Sequence, residues 1–250
     1  MRFPSQLVEG RLVRRYKRFL SDVELLSGEI VTAHCANPGS MLGLAAQGSR
    51  VWLSKSNNPK RKLAYSWELI EVDLGRGPVL VGINTSSPNG AVTAAIEARL
   101  IPELSGYASL RREVRYGGNS RIDILLEDDS RPPCYVEIKN VHLMRKAGLA
   151  EFPDSVTARG AKHLSELSDV VAAGARAVMV YFIQRGDAEA FSLADDLDPT
   201  YAAAFRRARA IGVEALAVAT NISLAGLGQL RPIPICGVTD GEVPGLTESA

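Results

Sequence analysis

Arg121-Ile122-Asp123-Ile124-Leu125-Leu126 and Tyr135-Val136-Glu137-Ile138-Lys139 read as two strands joined by a short return. Asp123 interrupts an apolar run. Glu137 and Lys139, two residues apart, share one sheet face. An antiparallel return brings Asp123 beside Glu137, and two carboxylates at one spot repel unless a cation joins them. Oxygen ligation with open water positions suits Mg²⁺ or Mn²⁺. A lysine beside the pair would orient or deprotonate an attacking water, or stabilise a phosphoryl transition state. The plainer alternative is a solvated face with a cross-strand ion pair, since Glu-x-Lys alone recurs by chance. A third carboxylate from the helix before the sheet would complete a site. Glu97 is the candidate and Glu103 its competitor.

Working outward, Ala91 to Leu104 has helical composition, with Val92, Ala95, Ile96 and Leu100 near one face. Strands follow at Leu110 to Tyr116, Ser120 to Leu126 and Cys134 to Val141, with Gly117-Gly118-Asn119 as the first turn. A helix runs from about Ser155 to Ala173, with Asp154 as its expected N-cap. Ala177 to Ile183 reads as a buried strand, and Tyr201 to Ile211 as a last helix. The order is αβββαβα. Arg159 and His163, four apart, lie on one face of the first long helix, placed to bind a phosphate over the hairpin. A capped, charged helix face is the alternative. Neither a nucleophile triad nor a Walker loop is present.

The first 84 residues read differently. Leu7 to Tyr16, Phe19 to Leu26, Ile30 to Cys35, Arg50 to Ser54 and Ser66 to Val72 are short strands, consistent with a compact OB-like barrel. Net charge over the chain is +1, but residues 1–84 carry +5 and residues 85–250 carry −4. Arg11, Arg14, Arg15, Lys17 and Arg18 form one basic cluster and Lys60, Arg61 and Lys62 another, with aromatics interleaved. Two such clusters in one small module point to phosphate contact without sequence reading. Trp52 and Trp67 are expected in the core. The domains expected are a barrel over 1–84, a second domain over 85–236 and a flexible tail over 237–250.

A chain of 250 residues with 46% apolar and 23% charged residues is globular rather than disordered. Cys35, Cys134 and Cys236 match no zinc spacing and read as reduced thiols. Val170 to Ile183 is broken by Arg176 and is too short to span a bilayer. The start, MRFPSQLVEG, lacks the apolar core of a signal peptide, so a cytoplasmic location is expected.

Several stretches together resemble the sugar fermentation stimulation protein A family, over about residues 2–236. They are Ala33-His34-Cys35-Ala36-Asn37-Pro38-Gly39-Ser40-Met41, Asn58-Pro59-Lys60-Arg61-Lys62-Leu63, Ser120-Arg121-Ile122-Asp123, Val136-Glu137-Ile138-Lys139-Asn140-Val141 and Phe152-Pro153-Asp154-Ser155-Val156-Thr157-Ala158-Arg159-Gly160. Ala36 departs from the proline usual there. The resemblance implies an α+β chain, an OB-like barrel followed by a PD-(D/E)XK nuclease-like domain. It also implies non-specific DNA binding and a regulatory role in maltose and sugar metabolism. Asp123 then matches the motif aspartate, Glu137 and Lys139 the Glu-x-Lys, and Glu97 the first-helix acid, while Arg159 and His163 are similar to basic phosphate ligands. The function expected is a DNA-binding protein, on single or double strands, with an Mg²⁺- or Mn²⁺-dependent nuclease site held by Asp123, Glu137 and Glu97. The alternative is a catalytically inert DNA-binding regulator. No membrane partner is expected, and homo-oligomerisation is left open.

Overall fold

A computed structural model describes residues 1–237 other than Pro4 and Asn119. The expected tail, from residue 238 on, lies outside the described residues. Strands β1 (Val8–Tyr16), β2 (Leu20–Leu25), β3 (Ile30–His34), β4 (Arg50–Lys55) and β5 (Tyr65–Asp73) pair in a ring, with β6 (Pro78–Gly82) added to β5. The ring closes where β3 runs parallel to β5, Ala33 against Tyr65 and His34 against Ser66. This is an OB-like barrel. Its inside is apolar because alternate residues turn inward, as Val31 and Ala33 do in β3. Trp52 and Trp67 are buried as expected, and the Trp67 indole N–H donates to the Leu69 carbonyl at 2.8 Å. Strand β1 pairs with both β2 and β4 at Gly10. A Cβ there would meet Val23 Cγ1 at 2.5 Å and the Glu24 carbonyl oxygen at 2.7 Å, so only glycine fits.

The second half is built on a six-stranded mixed sheet. Its elements are α1 (Ser87–Glu97), β7 (Ser109–Tyr116), β8 (Ser120–Asp128), β9 (Arg131–Val141), α2 (Ala158–Ala172), β12 (Arg176–Ile183), α3 (Pro199–Ile211), β14 (Glu214–Ser223) and β15 (Gly226–Pro232). Strands β10 (Leu143–Lys146), β11 (Leu149–Phe152) and β13 (Ala190–Leu193) make a small side sheet. The large sheet runs β15-β14-β12-β9-β8-β7, antiparallel from β7 to β9 and parallel through β9, β12 and β14. Strand β12 is apolar along almost its whole length because helices cover both faces. One core packs α1 against the sheet, and the other packs α2 and α3 against the opposite face. The chain is thus α+β, an OB-like barrel followed by an αβββαβα unit whose sheet β14 and β15 extend. No helix among the described residues is long and apolar enough to cross a membrane.

Several local expectations are corrected. The first helix ends at Glu97, not Leu104. Arg99 takes a left-handed φ of 57° and Pro102 starts a separate 3-10 turn. The helix also begins before Ala91, with Pro88-Asn89-Gly90 in the first turn of α1, where proline's missing N–H costs nothing. The cap of α2 is Thr157, whose Oγ1 accepts the Gly160 N–H at 3.1 Å. Asp154 turns away, toward the barrel.

That turn builds the junction between the halves. The Asp154 carboxylate accepts the Met41 N–H at 2.9 Å. It also faces His142 Nε2 at 3.3 Å. The Asn140 amide donates to His142 Nδ1 at 2.9 Å, so the Nε2 proton is the one offered to Asp154. Burial opposes ionisation of Asp154, but the hydrogen bonds from His142 and Met41 outweigh it and hold its pKa at about 2. The loop carrying Met41 is pinned from the other side by Arg15, whose guanidinium donates to the carbonyls of Asn37, Gly39 and Ser40 at 2.8, 2.9 and 3.2 Å. Buried Gln184 links Asn140 Oδ1 at 2.6 Å to the Asn84 carbonyl at 3.0 Å, and Asn84 donates to Glu68 of the barrel at 2.8 Å. A second tie lies at the far edge, where Leu227 N donates to the Met1 carbonyl at 2.8 Å and Arg2 bridges to Gly226.

Candidate active site

Strands β8 and β9 pair as Ile124 to Val136, so Asp123 and Glu137 face each other one step further along. There the ladder is interrupted, because the Asp123 carboxylate itself accepts the Ile138 N–H at 2.7 Å. Its other oxygen accepts the Asn89 amide from α1 at 2.8 Å. Glu137 is 3% exposed. One of its oxygens, Oε1, takes the Lys139 ammonium at 2.7 Å and His163 Nδ1 of α2 in a short hydrogen bond. The Arg159 guanidinium donates to His163 Nε2 at 3.3 Å. Arginine only donates, so this imidazole is neutral, with its proton on Nδ1 and aimed at Glu137.

The other Glu137 oxygen, Oε2, is buried without a partner. So are the Tyr116 hydroxyl and Glu166 Oε2. Burial, and then the Glu137 charge, push the Asp123 carboxyl up to about 6. Burial also works against Glu137, but His163 and Lys139 overcome it and leave that carboxyl below its ordinary range. Burial, with the charges of Glu137, Glu166 and Asp123, raises the Tyr116 phenol. A cavity of about 540 Å³ opens onto the acids, lined by Glu113, Arg121, Asp123, Glu137, Arg159 and Lys162 among others.

Two facing carboxylates, one with an orphaned buried oxygen, fit a hard divalent cation. Among the described residues no three His, Cys, Asp or Glu side chains form a ready-made cage. A cation held by Asp123 and Glu137 would therefore keep several water ligands, as Mg²⁺ does.

The structure brings Asp123, Glu137, Lys139, Arg159 and His163 together, but not Glu97. That residue ends α1, exposed, roughly 12 Å along the axis from Asn89. It lines a different cleft with Arg99 and Tyr107. Glu103 is no substitute, since it lies in the 3-10 turn and lines another cleft, with Phe205 and Arg209. The group that α1 presents to Asp123 is an amide. A carboxylate that sequence reasoning missed is Glu113, opposite Asp123 by the β7–β8 register and at a left-handed φ of 53°. Its place in an alternating strand gave no signal.

The barrel cations divide. Arg11 donates to the Gly48 carbonyl at 3.0 Å. Arg14 pairs with Asp22 at 2.8 Å over the Tyr16 ring, and Arg15 clamps the 37–40 loop. These arginines stitch the barrel. Lys17 and Arg18, on the β1–β2 turn, and Lys60, Arg61 and Lys62, on the β4–β5 loop, are exposed, with Arg61 donating to Ser66 Oγ at 3.0 Å.

Two family models match successive stretches of the chain. The family described as "SfsA N-terminal OB domain" matches residues 13–83, and "Sugar fermentation stimulation protein RE domain" matches residues 86–226. The sugar fermentation stimulation protein homolog of Azorhizobium caulinodans is 60% identical over 95% of this chain and all of its own length. That of Methylobacterium nodulans is 58% identical over 94% of this chain and 99% of its own. Pyrococcus furiosus SfsA, solved in complex with Ca²⁺, superposes with a TM-score of 0.83 at 28% identity, covering 94% of this chain and 97% of that one. With barrel, mixed sheet and relatives all in agreement, the chain belongs to the sugar fermentation stimulation protein family.

Proposed function

We propose that this chain is a cytoplasmic DNA-binding protein whose second half is a metal-dependent phosphodiesterase. The observation that carries the reading is the buried pair Asp123 and Glu137, with one Glu137 oxygen unpartnered at the floor of a cavity rimmed by cations. Asp123 and Glu137 would hold Mg²⁺ or Mn²⁺, and the Ca²⁺ complex of the archaeal relative supports a divalent ion. When bound, such an ion activates water and offsets charge on the phosphoryl oxygens. Lys139 holds Glu137 ionised and oriented from one side, and neutral His163 does so from the other. Arg159 and Lys162, at the cavity mouth, are placed to hold phosphate oxygens. The lining is charged, which suits a phosphodiester rather than a neutral sugar, so a role in maltose metabolism would run through nucleic acid.

A second reading, a DNA-binding regulator without cleavage, is favoured by one observation: α1 supplies Asn89 where a third acid was expected. End-labelled single- and double-stranded DNA, incubated with Mg²⁺ or Mn²⁺, separates the two. Metal-dependent products that fall by at least about 10²-fold in Glu137→Ala establish the nuclease. Bound but uncut DNA with every metal leaves the regulator.

A further inference from the structure

Among the described residues strand β7 is an edge of the large sheet, and the β7–β8 hairpin carries Arg111, Arg112, Arg115 and Arg121. Register places Arg115 directly opposite Arg121. Directly opposed residues share a sheet face, and like charges so placed repel. Of the other two, Arg111 is answered by two hydrogen bonds to Glu127, at 2.8 and 2.9 Å, whereas Arg112 has no such partner among the described residues. Arg115 and Arg121 are both exposed, and among the described residues neither has an ion pair or a side-chain hydrogen bond.

Their position gives the repulsion a use. Arg121 lies two residues before Asp123 and lines the cavity that holds the acids. Arg159 and Lys162 of α2 line the same cavity. The hairpin is braced against α2, since a Cβ on Gly117 of its turn would lie 3.5 Å from Glu166 Oε1. The acidic floor therefore has a guanidinium pair on a sheet edge and a cationic helix face about it.

We infer that Arg115 and Arg121 form a two-pronged clamp for one backbone phosphodiester of a nucleic acid, next to Asp123 and Glu137. The inference rests on the nucleic-acid reading above and assigns the grip beside the site to the second half of the chain. One phosphate between the two guanidiniums takes paired N–H donors from each and cancels their repulsion. Such a contact reads charge and not bases. It draws the strand along the open sheet edge toward the carboxylates.

The test is fluorescence anisotropy with labelled duplex DNA in chelator, so that no cleavage intrudes, across a salt series. The double substitution Arg115→Gln, Arg121→Gln is expected to weaken binding about tenfold or more, and to flatten the slope of log K against log salt by about one, the value for one lost phosphate contact. Arg115→Lys with Arg121→Lys should keep the slope, because charge is retained. The thermal midpoint of free Arg115→Gln should equal or exceed that of the parent, because a repulsion is removed. Parent-like affinity and slope in the double variant overturn the clamp while leaving DNA binding standing. A parent that binds no DNA overturns both.

Discussion

At the scale of single residues, the protonation of Asp123 decides most. Folded, it holds its proton to about pH 6, whereas the unfolded chain releases it near 3.8. Ionisation between those values therefore favours the unfolded chain. The stability deficit grows as pH rises from about 4 to about 6 and persists above, reaching about 3 kcal/mol. Asp123→Asn is expected to raise the unfolding free energy of chelator-treated protein by up to that amount at pH 8 and to change it little at pH 4. Urea titrations at the two pH values check this, and equal effects at both would refute it. The acids themselves were legible: a lone Asp in an apolar strand and a Glu-x-Lys two apart fix faces by period alone. Asn89 and Glu113 were not, because which residue faces a neighbouring element depends on where α1 begins and how β7 registers. Glu97 misled for the same reason, since it sits on the right helix at the wrong end.

At the scale of elements, the junction loop shows how local chemistry is overruled. Asp154 has the residue type and place of a helix cap, yet Thr157 takes that role and Asp154 binds the 36–41 loop. Nothing within ten residues of Asp154 announces a partner more than a hundred positions away. Gly39 lies against it: a Cβ would meet Asp154 Oδ2 at 2.7 Å and Oδ1 at 2.9 Å. Gly39→Ala is expected to cost about 1–3 kcal/mol by overpacking. In an Asp154→Ala background the same change should cost far less, because the obstructing carboxylate is gone. A double-mutant cycle by urea unfolding reads the difference. Additive costs would mean that Gly39 and Asp154 do not oppose each other.

At the scale of the whole molecule, the αβββαβα order and the five strands of the barrel could be read from strand and helix periods, whereas β6, β14 and β15 were not read, nor was the side sheet of β10, β11 and β13, whose strands are four residues each. The halves are joined by polar groups rather than by a shared apolar core. Gln184, 1% exposed, is central to that seam. Gln184→Leu leaves the Asn140 oxygen and the Asn84 carbonyl without this donor, a loss of about 1–3 kcal/mol. Calorimetry should show the single transition of the parent separating into two, the barrel melting apart from the sheet. One undivided transition at the parental temperature would show that Gln184 is not what couples them.

The tie between Met1 and Leu227 sets an order of events during synthesis. The hairpins of the barrel have all their partners once Asp73 has left the ribosome. The strand that Met1 and Arg2 clasp is not available until residue 226 emerges. Gly226 accepts that clasp because a Cβ there would lie 2.1 Å from the Met1 carbonyl oxygen. During synthesis the chain thus carries a finished barrel with Met1 and Arg2 loose, and these two are fastened only after β15 is made.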